Sequence, residues 1–148
     1  MSLAFAIVVA LLLGAGLSVQ AGVNASLRSV LGHPLHSTII NFVVGLVLVL
    51  AYALLSGLRT PAAGQFGRAA PWMYLGGAIG AAYVTGVVVL APRLGAATLA
   101  TLVIAGQLAA ALVIDHFGWL GFPTHPISPT RVAGVALVVA GVILVRRG

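Results

Sequence analysis

The chain has 148 residues, of which 61% are hydrophobic and 5% charged, with a mean hydropathy of +1.21. A water-soluble domain carries roughly 25% Asp, Glu, Lys and Arg, and this deficit of about fivefold excludes a hydrated shell and makes lipid the expected solvent. All seven basic residues are arginine and the sole acidic side chain is Asp115, so the net charge of +6 is sparse. Nucleic acid is excluded as a partner because it needs clustered basic side chains with stacking aromatics. The absence of cysteine removes disulfides, thiolate chemistry and Cys-type metal sites.

A membrane helix needs about 20 mostly apolar residues, and five stretches qualify or nearly qualify. The first, Leu3–Leu27, begins FAIVVALLLGAGL and ends in Gln20 and Asn24, with Arg28 just beyond. Residues four apart share a helix face, so these three form one polar stripe. A cleaved signal peptide is the alternative for this stretch, but it has no basic leader and its apolar run is too long, so a retained helix is expected. The second stretch, Leu35–Leu55, repeats the pattern with Ser37, Asn41 and Gly45, and Tyr52 lies farther along near that face. The third, Trp72–Ala91, has Trp72, Gly76, Gly80 and Tyr83 at helical spacing, a Gly groove between aromatic walls.

The fourth stretch, Ala96–Ile114, holds Thr98, Thr101 and the near-central Gln107. After it comes DHFGWLGFPTHPISPTR, an irregular loop whose Trp119 and Phe122 suit the membrane interface. The fifth stretch, Val132–Val145, is short, but its flanking Arg131, Arg146 and Arg147 can reach the headgroups, so it is expected to span if the bilayer thins slightly or neighbours shelter it. All seven prolines are expected between or at the ends of the five stretches, with Pro92 to Gly95 a tight turn.

Five spans put the chain termini on opposite sides of the bilayer. Arg59, Arg68 and Arg131 then share one side, and Arg28, Arg93, Arg146 and Arg147 the other. Orientation normally follows an excess of Lys and Arg in cytoplasmic loops, and three against four supplies almost none. The expectation is insertion in both orientations, with opposite copies paired as an antiparallel dimer; a single orientation fixed by a partner or one dominant loop is the alternative.

Polar side chains inside spans are costly and turn toward protein or a cavity. Gln20, Asn24, Asn41, Tyr52, Trp72, Tyr83 and Gln107 are therefore the candidate lining of an uncharged, aromatic-edged substrate cavity. The plainer reading is that amides and hydroxyls glue helices together. Gly76 and Gly80 are read first as packing, Thr98 and Thr101 as bonded back to their own helix, and Tyr52 and Tyr83 equally as interfacial anchors. Asp115, beside His116, is expected at headgroup level, paired with Arg131, although it remains the one side-chain carboxylate available for ion coupling. His33, His36, His116 and His125 show no metal-binding or catalytic pattern, so no enzyme, metal or cofactor is expected.

The segments GLSVQAGVNASLR, GGAIGAAYVTGVVVLAPRLGAATLATLVIAGQLAAALVIDHFG and RVAGVALVVAGVILV resemble the short YdcZ-like members of the drug/metabolite transporter superfamily. The resemblance covers nearly the whole chain, most strongly in APRLGAAT, AGQ and DHFG. It implies an all-α integral membrane protein of the bacterial inner membrane, a five-helix half of the transporter fold that completes itself as an antiparallel dimer. A more distant likeness to the small multidrug resistance proteins rests on Gly134 and Gly141 in the last helix, similar to that group's dimerisation stripe. Those proteins place a glutamate in the middle of helix one, whereas no acidic residue precedes Asp115 here. A neutral, zwitterionic or amphipathic ligand, or an anion drawn by arginines and helix termini, fits better than a cationic drug.

The expected function is secondary transport, export of a small metabolite or drug-like compound by alternating access. The competing readings are a small dual-topology channel and a non-transporting accessory subunit. The expected partners are the lipid bilayer, a second copy or a related short protein, and a small-molecule substrate.

Overall fold

The computed structural model describes residues 2–61 and 68–147, and among these every regular element is helical. Five helices are long and apolar enough to cross a membrane. Helix α1 spans Leu3–Leu31, with the Ser2 hydroxyl accepting the Phe5 N–H at its start. Helix α2 spans Pro34–Leu55; Pro34 occupies its first turn, where no N–H is needed, and the His33 ring accepts the Leu35 N–H. A 3-10 turn at Pro71–Tyr74 leads into α3, Leu75–Leu94. Helix α4 spans Ala96–Phe117, and α5 spans Pro129–Arg147 after a 3-10 turn at Trp119–Gly121.

Two local expectations are corrected. Pro92 lies inside α3, which continues to Leu94, so no tight turn starts at the proline. A proline one turn from a helix end forfeits only the bond to the carbonyl four residues back, and the chain tolerates that. The break comes at Gly95, whose φ of 75° lies in the left-handed region that a side chain resists. The last helix also needs no thinned bilayer. Its 19 residues extend into the arginines at both ends and reach about 28 Å, close to the hydrocarbon thickness of about 30 Å.

The chain divides into two compact units, Met1–Arg93 and Leu94–Gly148. In the first, α1 and α2 join through Gly32 and His33 and run antiparallel, so that Asn24 meets Ser37 and Gln20 meets Asn41. Ala21, Val84, Val87 and Val88 are buried there, but so are Asn24, Ser37 and Thr38, and the interior of this unit is partly polar. In the second, α4 and α5 lie side by side, with Leu99 and Val142 buried. Most large apolar side chains elsewhere, such as Leu11, Leu12, Val47 and Leu48, are exposed. An apolar exterior is what a bilayer requires, because water supplies no driving force there.

Candidate functional site

The stripe on α1 and the stripe on α2 face each other. The Asn41 Oδ1 accepts from Gln20 Nε2 at 3.2 Å and from Asn24 Nδ2 at 3.3 Å. One turn closer to the connecting bend, the Ser37 hydroxyl donates to the Asn24 carbonyl oxygen at 2.7 Å. Asn24 is 4% exposed and Ser37 0%, whereas Gln20 is exposed, so the cluster runs from a sealed base to an open edge. Helix α3 contributes Thr85, whose single hydroxyl proton has two acceptors in reach, the Thr38 hydroxyl at 3.2 Å and its own Ala81 carbonyl at 2.8 Å.

Arg28 completes the α1 stripe and reaches α3. Its Nη1 donates to the Val88 carbonyl at 3.1 Å and to the Val89 carbonyl at 3.4 Å. The Val88 carbonyl is the one that loses its helical partner to Pro92, four residues on, since proline has no N–H. Val88 is fully buried, and an unpaired carbonyl there would carry a desolvation cost of about 1–3 kcal/mol. The guanidinium therefore supplies the donor that Pro92 removes and ties α1 to α3.

The second unit holds an ion pair. Arg131 Nη2 donates to Asp115 Oδ2, and Arg131 Nη1 donates to the His125 carbonyl at 2.7 Å. The His125 N–H returns to the Asp115 carbonyl at 2.8 Å, and the Ile127 N–H donates to the His116 ring at 3.2 Å. Asp115 thus sits in the last turn of α4, fastened to the first turn of α5, as expected of a carboxylate at a helix end. Beside it, Leu108, Ala111, Leu112, Arg131, Gly134 and Val135 line an open groove of about 320 Å³. Its only charge belongs to Arg131, already engaged on both sides.

Among the described residues no hydrogen bond joins Tyr52, Trp72, Tyr83 or Gln107 to the amides. Tyr52 is 74% exposed and lies eleven residues, roughly 16 Å, along α2 from Asn41. Trp72 stands in the 3-10 turn before α3 rather than on the helix, so it does not share a continuous helical face with Gly76, Gly80 and Tyr83. Tyr83 is 36% exposed. Phe42, the residue after Asn41, brings its ring to 3.8 Å from where a Cβ on Gly80 would lie. Gly76, Gly134 and Gly141 have open space at the same point. Gln107 is exposed at the middle of α4, and among the described residues its amide makes no hydrogen bond. Thr101 bonds back to Ala97 and Thr98, as such hydroxyls do in apolar helices.

Sequence reading missed Thr38, Thr85 and the bond between Arg28 and the Val88 carbonyl. The spacing of Thr38 on α2 and the place of Pro92 carried some signal, but which carbonyl an arginine reaches depends on how α3 lies against α1. Among the described residues no group of three or more His, Cys, Asp or Glu is close enough together to hold a metal ion.

The family described as "Putative inner membrane exporter, YdcZ" matches residues 5–144. No curated protein and no solved structure matches the chain.

Proposed function

Because the chain belongs to the YdcZ family of inner-membrane exporters across residues 5–144, we propose that it is a small secondary transporter, an exporter working by alternating access in an antiparallel dimer. The observation that carries this reading is the amide cluster of Gln20, Asn24 and Asn41. It is hydrogen-bonded across two helices, sealed at Asn24 and open at Gln20, which suits a site where a solute exchanges amide contacts for water. Gln107 supports it further. An amide at mid-helix with no partner is costly in hydrocarbon, so a hydrated cavity or a second copy is its natural cover. The near-even division of arginines supports two opposed orientations, and a symmetric pair makes the inward and outward states equal in energy until a gradient biases them.

In this reading Gln107 contacts the solute, and in the first unit the open Gln20 edge is a separate solute contact that Asn24 and Asn41 hold in place. Gly76 and Gly80 leave α3 a smooth surface on which to slide, and Gly134 and Gly141 on α5 serve contact between copies. Asp115 keeps Arg131 and the loop between α4 and α5 in register, a structural duty in preference to ion coupling.

The test is flux in liposomes for compounds that raise the melting temperature of the purified protein. Saturable uptake with counterflow is expected, reduced at least about tenfold in Gln107→Ala, which removes about 1.4 kcal/mol or more of binding. Conductance that never saturates would replace the transporter with a channel.

A further inference from the structure

We infer that the Arg28 end of the amide cluster binds an anionic oxyacid group, a carboxylate or a phosphate, so that the solute class of the proposed transporter is anionic. This rests on the transport reading only for the word solute. The site itself rests on charge and donor counts. The chain has one side-chain carboxylate, Asp115, and Arg131 occupies it. Among the described residues Arg28 therefore has no side-chain counter-ion, and a second copy, with its own Asp115 committed in the same way, brings no free side-chain carboxylate.

The guanidinium is also placed inward. Its Nη1 contacts carbonyls of Val88 and Val89, and Val88 lies six residues, roughly 9 Å, before the end of α3. An arginine that merely snorkelled to the headgroups would extend outward from its helix end. Nη1 is occupied by the two carbonyls, whereas Nε and Nη2 make no hydrogen bond among the described residues. Those atoms form the side-on fork that matches two oxygens of a carboxylate or phosphate.

The neighbouring amides add donors. Gln20, Asn24 and Asn41 together own six N–H bonds, and the two hydrogen bonds among them use two, whichever way each amide is turned. Four N–H donors are left on these facing stripes, the nearest of them on Asn24, one turn of α1 from Arg28, with no acidic side chain anywhere on α1, α2 or α3. Donor surplus plus uncompensated positive charge selects an acceptor-rich anion and disfavours a cation or a purely apolar solute.

The oxyacid can belong to a soluble solute or to a lipid headgroup, and the experiment separates them. Thermal unfolding of the purified full chain in uncharged detergent is measured with propionate, inorganic phosphate and the neutral isostere propionamide, at constant ionic strength. The same measurement compares nanodiscs of phosphatidylcholine with nanodiscs containing phosphatidylglycerol. Stabilisation by propionate or phosphate over propionamide supports the inference with a soluble anion, and stabilisation by phosphatidylglycerol alone supports it with the headgroup.

Either effect must depend on Arg28. Arg28→Gln leaves the Val88 carbonyl unpaired and can fail to fold, so the deciding variant is Arg28→Gln with Pro92→Ala, where residue 92 regains an N–H for that carbonyl. The double variant is expected to fold and to weaken the anion at least about tenfold, while Arg59→Gln keeps it. No anion preference in the natural chain, or one that survives in the double variant, overturns the inference. Saturable flux of a neutral compound without anion dependence would sink this inference and leave transport standing. Arg28-dependent anion binding without flux of any bound compound would do the reverse.

Discussion

Asn41 accepts from two amides at once, so its removal strands both Gln20 and Asn24. Interhelical hydrogen bonds in membrane proteins average about 0.6 kcal/mol each, and Asn41→Ala is expected to cost about 1–2 kcal/mol. Reversible unfolding in mixed micelles measures it, and a loss below a few tenths would show that the pair is spectator to the packing. A second residue-scale prediction concerns Gly118, which ends α4 at φ 62° and lies where a Cβ would come 2.5 Å from the Thr124 hydroxyl oxygen. Gly118→Ala therefore meets both a left-handed backbone and a clash, and is expected to lower stability by about 1–3 kcal/mol. Adding Thr124→Ala should return only the part due to the clash. A melting temperature restored in full by the double change would remove the backbone explanation.

At the scale of elements, the two units hold their helices together by different means. The bend between α4 and α5 is fastened by Arg131, which joins Asp115 and the His125 carbonyl, with Asp115 about one-fifth and Arg131 one-third exposed. A partly solvated pair contributes little, and a double-mutant cycle of Asp115→Asn and Arg131→Gln is expected to give a coupling of about 0.5–1 kcal/mol. Asp115→Asn should leave flux within about twofold of the natural chain, since the ion pair it loses is worth so little. Abolished flux in a variant that still folds would return Asp115 to the coupling role. The first unit instead uses hydroxyls, amides and one guanidinium across α1, α2 and α3. Here sequence reading went far but not to the end. Spacing by four put Gln20, Asn24 and Arg28 on one face and Ser37 and Asn41 on another, and the two faces do meet. Tyr52, expected as an aromatic wall, lies roughly 16 Å along α2 from Asn41, because spacing along a helix states the direction of a side chain and not its height relative to a neighbour.

For the whole molecule, the proposed antiparallel pair rests on the arginine balance, which five alternating spans would divide three against four. Cysteine introduced at residue 2 and, separately, at residue 148 should be labelled by a membrane-impermeant reagent in about half of the copies in each case. A population facing one way throughout would remove the antiparallel pair, and with it the symmetric route between inward and outward states. Moving the balance by adding two lysines to the exposed segment at Gly57 and Leu58 should bias orientation and reduce flux together. Orientation that shifts while flux holds would separate transport from pairing.

Composition alone determined that this chain belongs in a membrane, because 148 residues with eight charged side chains cannot clothe a surface in water. Periodicity then determined the polar faces of α1 and α2, since the helical repeat is a local property of the backbone. What only the tertiary structure decided is the pairing of unlike groups from distant segments: Asn41 between two amides, Thr85 on Thr38, and Arg28 on the carbonyl that Pro92 leaves open. Those contacts depend on relative depth and rotation of helices. In lipid these are set by the fit of side chains across the interface, which no single segment contains.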